Sequence, residues 1–153
     1  MGTERRRIVL VCSPGGHLLQ LDALKPAYED LDRVWVTLPG SDVEGLLGDE
    51  RYVLAHGPTN RSPGRAVRNL AVAWRVVRRE RPHAILSTGA ALAVPFFLVG
   101  RLHGCRLVYV ESLTRIDSLS LSGRLVYPLA HAFFVQWPEA LVKRRARYEG
   151  NIL

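Results

Sequence analysis

Three short polar segments in this 153-residue chain each follow an apolar run, and each carries groups that could do chemistry. The first is Ser13-Pro14-Gly15-Gly16-His17. Paired glycines let a backbone turn sharply and approach a ligand, and a helix starting there offers unpaired N–H groups to an anion. The same residues also suit a plain tight turn between strand and helix. They match neither G-x-G-x-x-G nor a loop ending in Gly-Lys-Ser/Thr, which argues against classical dinucleotide and NTPase sites. His17 could donate to a phosphate, act as a base, or bond locally at a helix end. The second segment is Ser87-Thr88-Gly89-Ala90, whose hydroxyls fit either a ligand or a helix cap. The third is Glu111-Ser112-Leu113-Thr114-Arg115. Its carboxylate and guanidinium read, taken alone, as an ion pair holding a loop. Otherwise they form a site pair that binds a sugar hydroxyl or supplies a general base.

The elements that must position these groups are legible from periodicity. Apolar runs predict strands at Arg7 to Cys12, Arg33 to Leu38, Tyr52 to Ala55, His83 to Ser87, Arg106 to Val110 and Ala132 to Gln136. Helical spacing predicts His17 to Leu31, with a break or kink at Pro26, and a short helix after Ser41-Asp42 through Leu47. The clearest helix is Arg65 to Arg79, with Ala66, Leu70, Ala73 and Val77 on one face and Arg68, Arg75 and Arg79 on another. Ala90 to His103 is nearly apolar all round, within a 17-residue stretch, Ala84 to Gly100, that holds no charge. Leu125 to Ala130 reads as a helix broken near Pro128, and Pro138 to Arg147 as a basic helix. Six runs separated by helix-length segments imply one α/β domain over residues 1–153, a Rossmann-like parallel sheet with helices on both faces. In such sheets ligands bind beyond the carboxyl ends of the strands, where the three polar segments fall.

Composition narrows the classes. With 48% hydrophobic and 23% charged residues, the chain can bury a core and is neither disordered nor collagen-like. Cys12 and Cys105 lie in apolar segments without metal-ligand spacing and read as buried thiols of a reducing compartment. No uncharged stretch reaches the ~20 residues of a spanning helix, and the apolar run after Arg5-Arg6-Arg7 is too short for a signal peptide, so the sequence reads as cytosolic. The net charge of +7, carried mostly by arginine, predicts attraction to anionic surfaces. Nucleic acid is disfavoured, because no zinc-finger, RNA-binding or helix-turn-helix signature is present. The scattered acidic residues call for no metal, and no cofactor is implied. The apolar helix carrying Phe96 and Phe97, with the arginines Arg68, Arg75 and Arg79, suits either a buried core or contact with anionic lipid.

Together with Leu119-Ser-Leu-Ser-Gly-Arg-Leu-Val-Tyr-Pro128 and Phe133-Phe-Val-Gln-Trp-Pro138, these motifs resemble one family over about Ile8 to Gly150. It is the acceptor-side subunit of two-component UDP-sugar glycosyltransferases. Its members include PssD-type capsule and exopolysaccharide subunits and the membrane-anchoring subunit of the dolichol-linked N-acetylglucosamine transferase. The resemblance implies the N-terminal half of a split GT-B enzyme. This half would bind a polyprenyl-diphosphate-linked acceptor peripherally at the inner face of the cell membrane, while a separate partner binds the UDP-sugar. It implies inverting transfer, with His17 or Glu111 assisting deprotonation and Gly15, Gly16, Ser87, Thr88, Gly89, Ser112 and Arg115 lining the acceptor or phosphate site. Two other readings remain at this point: a non-catalytic scaffold that activates a separate enzyme, and a stand-alone nucleotide-binding Rossmann module.

Overall fold

Val, Ile and Leu fill the short strands on both faces, the composition of a parallel sheet covered on each side. In the computed structural model, which describes residues 5–58, 62–140 and 144–153, seven strands form one sheet. They are β1 (Arg7–Val11), β2 (Asp32–Thr37), β3 (Tyr52–Leu54), β4 (Ala84–Ser87), β5 (Arg106–Val110), β6 (Ala132–Val135) and β7 (Ala146–Tyr148). Their order is β3-β2-β1-β4-β5-β6-β7, and every pairing is parallel. Helices α1 (Gly16–Ala23), α2 (Val43–Leu47), α3 (Pro63–Glu80), α4 (Ala93–Leu102) and α5 (Leu121–Val126) connect them. The chain moves outward from β1 to β3, then crosses back to place β4 on the other side of β1. The loops after β1 and β4 therefore diverge, leaving a crevice at the switch point.

One core cluster joins Val9, Val11, Ile85, Leu107, Tyr109 and Phe133 of the sheet to α3, α4 and α5, and the other joins Ile8, Leu10, Leu86 and Val110 to α1 and α2. At the centre of the first, Tyr109 stacks on Phe133 with ring centroids 5.0 Å apart and takes the edge of Phe97 at 6.0 Å. Gly100 brings α4 onto the sheet: a Cβ there would lie 2.6 Å from Ile85 Cδ1. Pro95 falls in the first turn of α4, where a missing N–H costs nothing.

The break expected at Pro26 is present: α1 ends at Ala23 and Lys25–Ala27 forms a short 3-10 turn. Three other elements depart from the sequence expectations. The helix expected from Leu125 begins earlier, at Leu121, where Ser120 caps it by accepting the Gly123 amide at 2.9 Å. The expected basic helix from Pro138 to Arg147 is not formed. Pro138–Ala140 is a single 3-10 turn, and Ala146–Tyr148 pairs with β6 as an added edge strand; Lys143 lies outside the described residues. Finally, Phe96 and Phe97 cannot contact lipid as expected, for both are 0% exposed. The side of helix α4 that carries Phe96 and Phe97 packs against α3, α5, β4 and β5, so these apolar residues belong to the core, while Leu98, Arg101 and Leu102 face outward.

Candidate functional site

The crevice at the carboxyl ends of β1, β4 and β5 is a cleft of about 690 Å³, lined by Ser13 and His17 after β1, Ala90 and Ala91 after β4, Ser112 and Arg115 after β5, and Ser120 at the start of α5. The chain changes direction on both sides of it, so three loops converge without filling the space.

His17 is held from behind. Its Nδ1 lies 2.8 Å from the Thr88 carbonyl oxygen. A carbonyl only accepts, so Nδ1 carries the proton, and in the neutral ring Nε2 presents a lone pair. Nε2 has no partner among the described residues. The hold is reciprocal, since Thr88 Oγ1 donates to the His17 carbonyl at 2.6 Å. Gly89 makes the approach possible. Its φ is +124°, and a Cβ there would lie 2.8 Å from His17 Cε1. Ser87 and Thr88 are both buried and neither caps α4, which starts at Ala93; Ser87 Oγ instead accepts the Gly89 amide at 3.1 Å. Gly15 and Gly16, expected to line the site, are exposed but are not among the residues that line the cleft, and the Gly15 amide donates to Asp42 Oδ2 at 2.7 Å.

Glu111 lies beneath the cleft, 1% exposed. It accepts the Ser112 amide at 2.9 Å through Oε1, and the Ser120 amide and hydroxyl at 2.9 and 3.0 Å through Oε2. The ion pair with Arg115 is not formed among the described residues; the carboxylate instead closes the loop from residue 111 to 120 and fixes the cap of α5. Gly123 sits against it, and a side chain there would overlap Glu111 Oε2. Burial, and then the Glu111 charge, push the Tyr109 phenol above its ordinary value, which keeps it a neutral hydroxyl beside Ser120. Arg115 is exposed and free to meet an anion in the cleft.

Sequence reasoning missed the two amides that support this loop. Gln136 Nε2 donates to Gln20 Oε1 at 2.6 Å and to the Glu111 carbonyl at 3.0 Å. Gln20 Oε1 also accepts the Leu113 amide at 3.0 Å, and its Nε2 donates to the Gly16 carbonyl at 3.1 Å. Trp137 Nε1 donates to the Leu113 carbonyl at 2.6 Å. The Phe-Val-Gln-Trp-Pro segment thus acts through its amide and indole, fastening the loop after β5 to α1. Both glutamines are buried, and a buried amide in an apolar setting is the signal that could have found them.

Other groups lie elsewhere. Burial pushes Cys12 up to about 12 and raises Cys105, so both are inert thiols. The triplet Asp30-Leu31-Asp32 lies at the opposite edge of the sheet, where Asp32 is bound to Arg7 and Arg51. Among the described residues there is no cluster of three His, Cys, Asp or Glu that could hold a metal ion, and no helix is long and apolar enough to cross a membrane.

This topology, with its crevice over β1 and β4, defines a Rossmann-like half of a GT-B architecture. MurG of Acinetobacter baumannii superposes with a TM-score of 0.77 over 94% of this chain and 45% of that chain, at 15% identity. A UDP-N-acetylglucosamine 2-epimerase superposes with a TM-score of 0.73 over 96% of this chain and 48% of that chain, at 10% identity. Residues 54–152 match the family described as "Oligosaccharide biosynthesis protein Alg14 like", and the chain belongs to that family. The relative from Eremothecium gossypii, named UDP-N-acetylglucosamine transferase subunit ALG14, is 44% identical over 100 residues, 57% of this chain and 45% of that protein. A protein of the same name from Cryptococcus neoformans is 31% identical over 91% of this chain and 77% of its own length. The match thus spans less than half of the first relative. The expected capsule and exopolysaccharide setting, and the PssD-type label, draw no support from these relatives.

Proposed function

We propose that the chain is the acceptor-side subunit of a two-component glycosyltransferase that moves N-acetylglucosamine from its UDP donor to a polyprenyl-diphosphate-linked acceptor. The cleft receives the acceptor, and a second chain closes over it with the nucleotide sugar, working peripherally at the cytosolic membrane face. The acceptor hydroxyl attacks the anomeric carbon from the side opposite the departing UDP. The new C–O bond forms as the bond to the β-phosphate oxygen breaks, UDP leaves with the electron pair, and the hydroxyl proton passes to His17 Nε2. Arg115 and the N-terminus of α1 balance phosphate charge.

The observation that carries this reading is the 2.8 Å separation of His17 Nδ1 from the Thr88 carbonyl oxygen. A proton fixed on Nδ1 by the Thr88 carbonyl leaves Nε2 as the acceptor in the cleft. Glu111, saturated by Ser112 and Ser120, holds the loop in this scheme and takes no proton. Purified chain, partner subunit, UDP-N-acetylglucosamine and lipid acceptor together should give product, and neither chain alone should. Full turnover by the partner alone would overturn the subunit role, and undiminished turnover by a His17→Ala complex would favour the scaffold reading.

A further inference from the structure

The sheet fixes its strands but not the loops beyond their carboxyl ends. Strand β4 lies between β1 and β5, so His17 and Arg115 reach the cleft from either side of it, outside the ladder of inter-strand hydrogen bonds. The Thr88 carbonyl ties His17 to the loop after β4. Among the described residues one direct hydrogen bond ties α1 to the loop after β5, from the Leu113 amide to Gln20 Oε1 at 3.0 Å. Leu113 is clamped at both ends, since its carbonyl takes the Trp137 indole N–H, and its neighbours Ser112, Thr114 and Arg115 line the cleft. At its other end the Gln20 amide donates to the carbonyl of Gly16, the residue before His17.

Gln136 holds Gln20 in that role, and the two amides admit a single orientation. The Leu113 and Ile152 N–H groups require an oxygen, while the Gly16 and Glu111 carbonyls require a nitrogen. Backbone partners therefore assign Oε1 and Nε2 in both side chains. Gln136 gives one amide hydrogen to the Glu111 carbonyl and the other to Gln20 Oε1 at 2.6 Å, where it meets the second lone pair. The two side chains come from positions 116 residues apart and are 4% and 1% exposed. Such a network is stiff, because the Gln136 amide is saturated and moving either side chain strands a buried partner of the other.

We infer that Gln20 and Gln136 are positioning residues for the transfer reaction: their paired amides set the span across the cleft between His17 and the wall that carries Ser112, Thr114 and Arg115. Neither glutamine lines the cleft, so both act through the backbone they hold. The inference rests on the proposed function, in which the base and the cation must meet one acceptor at the same time. A displacement of about 1 Å across such a span costs about 10²-fold in rate.

The test compares the native two-chain enzyme with complexes carrying Gln20→Met or Gln136→Met, at a temperature where circular dichroism shows every chain folded. Methionine keeps the length and apolar bulk and makes none of these bonds. Each variant should lower kcat about 10- to 100-fold, with the KM for UDP-N-acetylglucosamine held within about twofold because the partner binds the donor. The double variant should lose little more than either single one, since the amides act as a unit. Gln20→Glu, whose carboxylate still accepts from Leu113 and Gln136, should keep much of the turnover that Gln20→Met loses. Gln20→Met also leaves the Ile152 bond in place, which separates an effect at the cleft from one at the C-terminal segment. In the chain alone, Gln20→Met should speed amide exchange at Leu113 at least about tenfold while β1 and β4 keep native protection. Folded single variants that turn over within about twofold of native would overturn the inference, as would native protection of Leu113 in Gln20→Met. So would losses that follow the thermal midpoint alone, with Gln20→Glu no better than Gln20→Met. A native complex that makes no product overturns the proposed function first, and the inference with it.

Discussion

The two edges of the sheet each hold a polar concavity of similar size, about 660 Å³ at the amino ends of the strands and about 690 Å³ at the carboxyl ends. At the amino edge, Arg7 and Arg51 bind Asp32 at 2.6 and 2.7 Å, Arg33 binds Glu50 at 2.6 Å, and Arg79 binds the buried Glu80 at 2.9 Å. Every carboxylate in these pairs has its cation. At the carboxyl edge the buried carboxylate is turned inward to amides, and the groups left facing the cleft, His17 Nε2 and Arg115, are without partners among the described residues. A polar hollow becomes a candidate site through the unused bonding capacity of its walls. At the amino edge Asp32, Glu50 and Glu80 have spent theirs on arginines, while Arg5, Asp49 and Arg81 line the hollow outside those pairs.

Four substitutions test this contrast. The largest effect falls on His17→Gln, which can keep a donor to Thr88 but loses the basic nitrogen. Turnover of the assembled enzyme should drop about 10²- to 10⁴-fold with little change in thermal midpoint. Next, Glu111→Ala strands the Ser112 and Ser120 amides and should lower unfolding free energy by about 3 kcal/mol in urea titration. Activity should fall with it. At the other edge, Glu80→Ala should cost about 2 kcal/mol, less than a fully enclosed pair because its arginines can turn to water, while kcat stays as in the native complex. The smallest effect concerns acid. Burial pushes the Asp32 carboxyl up, but Arg7 and Arg51 outweigh it and hold it below its ordinary value. A lowered folded value means a contribution fully present above the unfolded pKa of about 3.9 and lost as pH falls through the folded one. Asp32→Asn should therefore flatten the stability curve below about pH 4 and leave it parallel to the native curve above.

Much of this architecture was open to reading from the residues alone, because six of the seven strands are runs of apolar residues bounded by turn-forming ones. The three loops that meet at the cleft were also legible, since the carboxyl end of a parallel strand is a defined place. What stayed hidden depended on partners distant in sequence. Residues 146–148 carry no strong strand signal and become one by adding to the exposed edge of β6. The inward face of α3 was misassigned in part, with Ala66 and Leu70 outside and Val72 and Val76 inside, because a helix with two apolar stripes has a period but no label saying which stripe meets the sheet. Glu111 looked like half of an ion pair with a neighbour four residues on. Its actual partners are the amides one and nine residues away and the Ser120 hydroxyl, which spacing along the chain does not reveal.

The acceptor for the imidazole proton belongs to the main chain of residue 88. A side-chain acceptor could be erased by a single codon change, whereas every amino acid that could stand at this position brings the same oxygen. A substitution at residue 88 therefore keeps this acceptor, although it gives up the Oγ1 bond to the His17 carbonyl that completes the hold. Sensitivity passes one place along to residue 89, where any atom beyond hydrogen would push the imidazole off its seat, so that a position with no reactive group of its own governs which nitrogen is basic.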